Sequence, residues 1–136
     1  MKAYRWIASL FWIAAAYDGI VGAVFLVAPL AAFDWYRVTH PNHVGYVQFP
    51  AALLIVFAAM FAAVALDPVK RRTLILYGMG LKASYCLVAG GHWLIGGIPS
   101  MWKPFVLVDL AMLVLFLAAY VALGDTAAEA RPATVK

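Results

Sequence analysis

A lysine in the middle of a membrane-length apolar run constrains this chain more than any other feature. The run is Thr73 to Ile95, TLILYGMGLKASYCLVAGGHWLI, and the lysine is Lys82. About 20 apolar residues suffice to cross a hydrocarbon core of about 30 Å. An ammonium at the centre of such a span costs about 3 kcal/mol on insertion scales, so it turns to the bundle interior, takes acidic partners, and marks a candidate functional centre. Asp18 and Asp109, each inside another apolar run, are the expected partners.

The remaining sequence has room for spans and little else. Of 136 residues, 67% are hydrophobic and 12% charged, which excludes a soluble domain. Lys2 and Arg5 ahead of an apolar run give the N-terminus the look of a secretory signal. That run resumes beyond Asp18 through Val27, longer than a signal core. The first span is therefore expected at about 6–33, with Pro29 kinking or ending its last turns. DWYRVTHPNHVGY, Asp34 to Tyr46, reads as a surface connector. The second span is expected at about 44–66, the third at 73–95 and the fourth at 104–123, joined by DPVKRR and GGIPSMWKP, with a solvated tail over 125–136.

Basic residues collect on the cytoplasmic side of a membrane protein. Lys2, Arg5, Lys70, Arg71, Arg72, Arg131 and Lys136 share one side, and Arg37 and Lys103 the other, so both termini are expected in the cytoplasm. Short connections then favour an all-α, antiparallel four-helix transmembrane bundle. Small residues at Gly19, Gly22, Ala23, Gly78, Gly80, Ala83, Gly90 and Gly91 are expected at close helix contacts. The net charge of +4 follows from this topology and requires no nucleic-acid partner. A lone cysteine, Cys86, excludes an intramolecular disulfide, so any redox role would borrow a cofactor or a partner.

Depth follows from a rise of about 1.5 Å per residue. Lys82 lies ten residues beyond Arg72, about 15 Å above the cytoplasmic boundary; Asp18 lies about 20 Å above it, and Asp109 about 10 Å below the outer one. All three fall at the midplane or just outward of it. Tyr85 and Cys86, three and four residues after Lys82, share its face. Tyr17, next to Asp18, is expected to point elsewhere, whereas Gln48 is placed to reach the upper part of an outward-opening chamber.

Three uses of such a centre compete. The charges neutralise one another and fix helix register; they hold the polar head of a lipid-like or other hydrophobic ligand, such as a quinone; or they relay protons or catalyse, with Lys82 as base or nucleophile. A second constellation, His40, His43 and His92, brings imidazoles toward the outer face, where copper, zinc or haem iron is chemically conceivable. His40 and His43 straddle a proline and need not converge, so interfacial histidines are the preferred interpretation and no cofactor is required. Most of the tryptophans and tyrosines fall near span ends, as aromatic belts do; Trp12, Tyr17, Phe25, Tyr77 and Tyr85 are placed to line a cavity or face lipid. No Rossmann, P-loop, nucleophile-elbow or metallohydrolase motif is present.

The phrases YDGIVGAVFLVAP, VQFPAALLIVF, DPVKRR, GLKASYC and GGIPSMWKPFVLVDL, spread over residues 5 to 123, resemble the DoxX-like superfamily of small four-helix bacterial membrane proteins. The first span departs from the arginine-plus-glycine pattern of DoxX itself. The resemblance implies an inner-membrane accessory partner in redox or stress-related systems. A more distant likeness is to EXPERA proteins, whose interior acids bind amines or sterol-like ligands; that likeness makes Asp18 and Asp109 the analogous groups and puts Lys82 in the cation's place. The expectation is a binding or accessory subunit, within a larger membrane complex or a homo-oligomer, whose polar pocket is built from Asp18, Gln48, Lys82, Tyr85 and Asp109. A small enzyme or proton-relay protein using Lys82, Asp18 and Asp109 is the alternative.

Overall fold

The computed structural model describes residues 4–129, with side chains for residues 4–124. It is all-helical: α1 (Arg5–Val27), α2 (Ala31–Trp35), α3 (Gly45–Leu66), α4 (Arg72–Ile95) and α5 (Lys103–Glu129), with a 3₁₀ turn at Ser100–Trp102 and no strand among the described residues. α1, α3, α4 and the stretch Ser100–Gly124 are each long and apolar enough to cross a membrane.

The ends of these helices bear on two expectations. The first span, expected to about 33 with Pro29 kinking or ending its last turns, stops at Val27, and the chain restarts as the short α2. Proline has no N–H for a helical bond, and it disfavours the helical conformation in the residue before it. Ala28, just ahead of Pro29, accordingly leaves the helix with φ −128° and ψ 63°. At the other end of the chain, α5 continues to Glu129, into the stretch from 125 expected as a solvated tail. The sequence over 125–129, DTAAE, carries two alanines, the best helix former. The rest of that tail, 130–136, lies outside the described residues.

Packing divides the bundle into two pairs. α1 runs along α3 and α4 along α5, while contacts between the pairs are much sparser. Glycine sets the first of these close approaches: a Cβ on Gly22 would lie 2.8 Å from the Ala51 carbonyl oxygen. Gly80 and Gly91, by contrast, have nothing within 4 Å of the Cβ position and mark no close contact.

The space between the pairs is treated differently at its two ends. At one end Ile7, Phe11, Phe61, Ile75, Phe116 and Leu123 form a buried cluster across all four long helices. Phe11 stacks on Phe116 with centroids 4.6 Å apart, and Phe61 meets Phe116 edge-on at 5.2 Å. Phe61 fits because α4 offers Gly78, where a Cβ would lie 2.5 Å from the ring. At the same end Arg72 fastens α4 to α5 within their pair: its Nε donates to the Tyr120 carbonyl at 2.9 Å while its guanidinium lies 3.7 Å over the Tyr120 ring. At the other end Phe25, Phe33, Ala51 and Met101 make a smaller cluster, with Trp102 and Phe105 against it. Trp102 stacks on Phe25 and meets Phe33 edge-on, so α2 and the 3₁₀ turn roof the bundle there.

Candidate functional site

Lys82 lies where the packed end gives way to open space. Its Nζ donates to Asp18 Oδ1 at 2.6 Å and stands 3.0 Å from Asp109 Oδ1. Lys82 and Asp18 are each 1% exposed and Asp109 7%. Asp109 is on α5, the packing partner of α4, whereas Asp18 is on α1, so the ammonium joins the two helix pairs. Tyr17 and Phe61 present ring faces to the same ammonium, with centroids at 5.2 and 5.9 Å.

A cavity of about 600 Å³ rises from this centre between the helix pairs. Tyr17, Asp18, Lys82, Tyr85 and Asp109 line it at the polar end; the remaining walls are almost wholly apolar, among them Val21, Phe25, Leu54, Ala89 and Phe105. Tyr85 donates its hydroxyl to the Trp102 carbonyl at 3.3 Å, linking the chamber wall to the roof. The lining residues that stand exposed, Tyr46, Pro50, Leu53, Ser84 and Val88, all belong to α3 or α4. Those from α1 and α5 are buried or half-buried. The mouth is therefore the gap between α3 and α4.

Two polar atoms at the floor have no hydrogen-bond partner, although both are shut off from solvent: Asp18 Oδ2 and the Tyr17 hydroxyl. Buried polar atoms are usually satisfied, so each such exception calls for an explanation. Tyr17 had been expected to point away from Asp18. Adjacent helical residues diverge by about 100°, but the ring is long, and in so wide a gap it swings across to the ammonium.

Gln48 departs from expectation in the other direction. Its Nε2 donates to the Leu26 carbonyl at 3.1 Å and it does not line the cavity. The last carbonyls of a helix have no intrahelical donor, and with Pro29 just beyond, Leu26 draws Gln48 to it. Cys86, although on the Lys82 face, turns toward α5, its Sγ 3.8 Å from the Val106 carbonyl.

The three histidines do not assemble. His40 Nε2 lies 2.6 Å from Asp34 Oδ1, His43 Nδ1 accepts the Gly45 amide at 3.0 Å, and His92 is exposed near the end of α4. Among the described residues no three His, Cys, Asp or Glu side chains are grouped to hold a metal ion.

An apolar chamber with a few convergent polar groups at one end suits a ligand with a hydrophobic body and a small polar head. Compared with known protein families, curated proteins and solved structures, the chain matches none.

Proposed function

We propose that this is a multi-pass protein of a bacterial inner membrane that binds a lipid-like ligand in an intramembrane pocket, acting by itself or as the accessory subunit of a larger membrane assembly. One observation carries the proposal: a cavity of about 600 Å³ with apolar walls has a buried ammonium and two carboxylates as its floor. Ion pairing by itself would explain the three charges, but it needs no chamber above them. Its mouth between α3 and α4 lets the ligand arrive sideways from the lipid. An accessory role is also what the DoxX-like resemblance implies.

The proposed topology is an antiparallel up-down-up-down bundle with both termini and the turn at Lys70 to Arg72 in the cytoplasm and the pocket in the outer half. It is supported by the basic-residue asymmetry and by the larger apolar cluster, which joins the N-terminal halves of α1 and α4 to the C-terminal halves of α3 and α5. In a Cys86→Ala background, a Thr126→Cys variant should resist an impermeant thiol reagent applied to intact cells; ready labelling would reverse the orientation.

Native mass spectrometry of gently solubilised protein tests the pocket. A stoichiometric hydrophobic adduct is expected on the wild type, and its loss is expected in Ala89→Phe, which fills the chamber. Bare protein in both, with nothing released by organic extraction, would contradict ligand binding.

A further inference from the structure

We propose that the crevice between α1 and α5 is a second lipid site, separate from the chamber, which holds a chain of an anionic phospholipid of the surrounding bilayer with its phosphate on Arg37. The site stands whether or not the chamber is filled.

The gap between the helix pairs has two sides, α3 facing α4 at the mouth and α1 facing α5 behind it, where contacts are again sparse. A space of about 320 Å³ lies on the α1 and α5 side. Val21, Phe25 and Phe105 line both this space and the chamber, a single layer of side chains that keeps the two apart. Phe25 meets Phe105 edge-on at 6.3 Å within that layer. Ile20 and Val24, on the other side of the crevice, are 65% and 46% exposed. On a helix long and apolar enough to cross a membrane, that exposure is toward lipid.

The crevice also runs in the direction of a lipid chain. Ile20 lies seven residues before the end of α1 at Val27, about 10 Å down the helix axis. Ala32 and Tyr36, four residues apart and so on one face, cover the crevice where the chain turns at the membrane surface. Its lining side chains are apolar except for the Tyr36 hydroxyl.

Charge at the covered end names the head. Arg37 follows Tyr36 directly, is exposed, and its guanidinium makes no ion pair or hydrogen bond with any described residue. Lys103, beside the crevice residue Pro104 in sequence, is instead held over the Trp93 ring on α4. Arg37 is therefore the cation left for this end. The one carboxylate of α2, Asp34, is already engaged by His40 at 2.6 Å. A guanidinium matches a phosphate with paired N–H donors. A zwitterionic head would bring an ammonium that finds no free carboxylate here, so a head of net negative charge fits best.

Native mass spectrometry of the full chain, delipidated in detergent and given equal amounts of phosphatidylglycerol and phosphatidylcholine with the same acyl chains, tests the site. The wild type should retain one phosphatidylglycerol about fivefold over phosphatidylcholine, the scale of one basic residue at a lipid surface. Arg37 holds φ 52°, a conformation that asparagine tolerates, so Arg37→Asn removes the charge and leaves the turn. It should keep a lipid and lose the preference. Val24→Trp fills the crevice and should lose the preferred lipid, whereas Ala89→Phe fills the chamber and should leave the preference intact. Equal retention of the two lipids by the wild type, or a preference unchanged in Arg37→Asn or Val24→Trp, would overturn the proposal. A preference abolished by Ala89→Phe would also overturn it and assign the anionic lipid to the chamber. Arg37 is exposed and touches no core residue, so its variant decides the matter even where Val24→Trp does not fold.

Discussion

The two ends of this bundle face the same problem and solve it differently. The α1–α3 pair and the α4–α5 pair stand apart along their length. At one end Phe11, Phe61 and Phe116 fill the gap, with Gly78 making room for the Phe61 ring. At the other end the gap is roofed by Trp102 against Phe25 and Phe33 and otherwise left as a chamber. Lipid tails are as apolar as the side chains, so helices in a membrane gain little from burying apolar surface and depend on close packing and polar contacts. Packing suffices at the filled end. At the chamber end packing between the pairs is confined to the roof of Phe25, Phe33, Trp102 and Phe105, and the Lys82 to Asp18 bridge ties the pairs at the floor beneath it.

If that division of labour is correct, removing the tie has the largest effect. Lys82→Met leaves the two carboxylates facing each other uncompensated and should lower stability by about 3 to 5 kcal/mol, as loss of one partner from a buried pair does; thermal unfolding in detergent measures it. A change near zero would mean that the filled end holds the pairs together alone. Next comes a contrast between added side chains. Gly78→Val pushes methyl groups into the Phe61 ring and should cost about 1 to 3 kcal/mol, as overpacking does in a close-packed core. Ala89→Phe adds a larger group at the chamber end and should change stability by less than about 0.5 kcal/mol, while excluding the ligand. Equal sensitivity at the two positions would erase the distinction between the ends.

Much of the scaffold is legible from residue types alone, because a bilayer allows few solutions to an apolar run of this length. The four spans, the interruption at Pro29 and the common depth of Asp18, Lys82 and Asp109 all follow from counting along the chain. What a helix faces is harder to read. Gly78 and Gly80 look alike in sequence, yet one receives a phenyl ring and the other meets open space. Gln48 had the right depth for the chamber but was drawn to the Leu26 carbonyl, a group orphaned by a helix end whose position was itself misplaced. Tyr17 counts among the aromatics placed to line a cavity or face lipid, but angular spacing turns it away from the charges; that rule says where Cα–Cβ bonds point and little about where a long ring ends in a gap. The chamber itself has no sequence signal, since lipid-facing and cavity-facing leucines and valines are chemically identical.

The most direct test of the central claim, that Lys82 joins the helix pairs at the floor of a ligand chamber, is a double-mutant cycle. Lys82→Met, Asp18→Asn and the combined variant are compared by thermal unfolding, with ligand occupancy followed by native mass spectrometry on the same samples. Contacting charged groups couple, and neutral pairs relieve the strain of a lone buried charge. The account predicts that the double variant recovers part of the stability lost in Lys82→Met, a coupling of at least about 1 kcal/mol, and that it does not recover the ligand. Additive losses of stability, or full occupancy in the double variant, would contradict it.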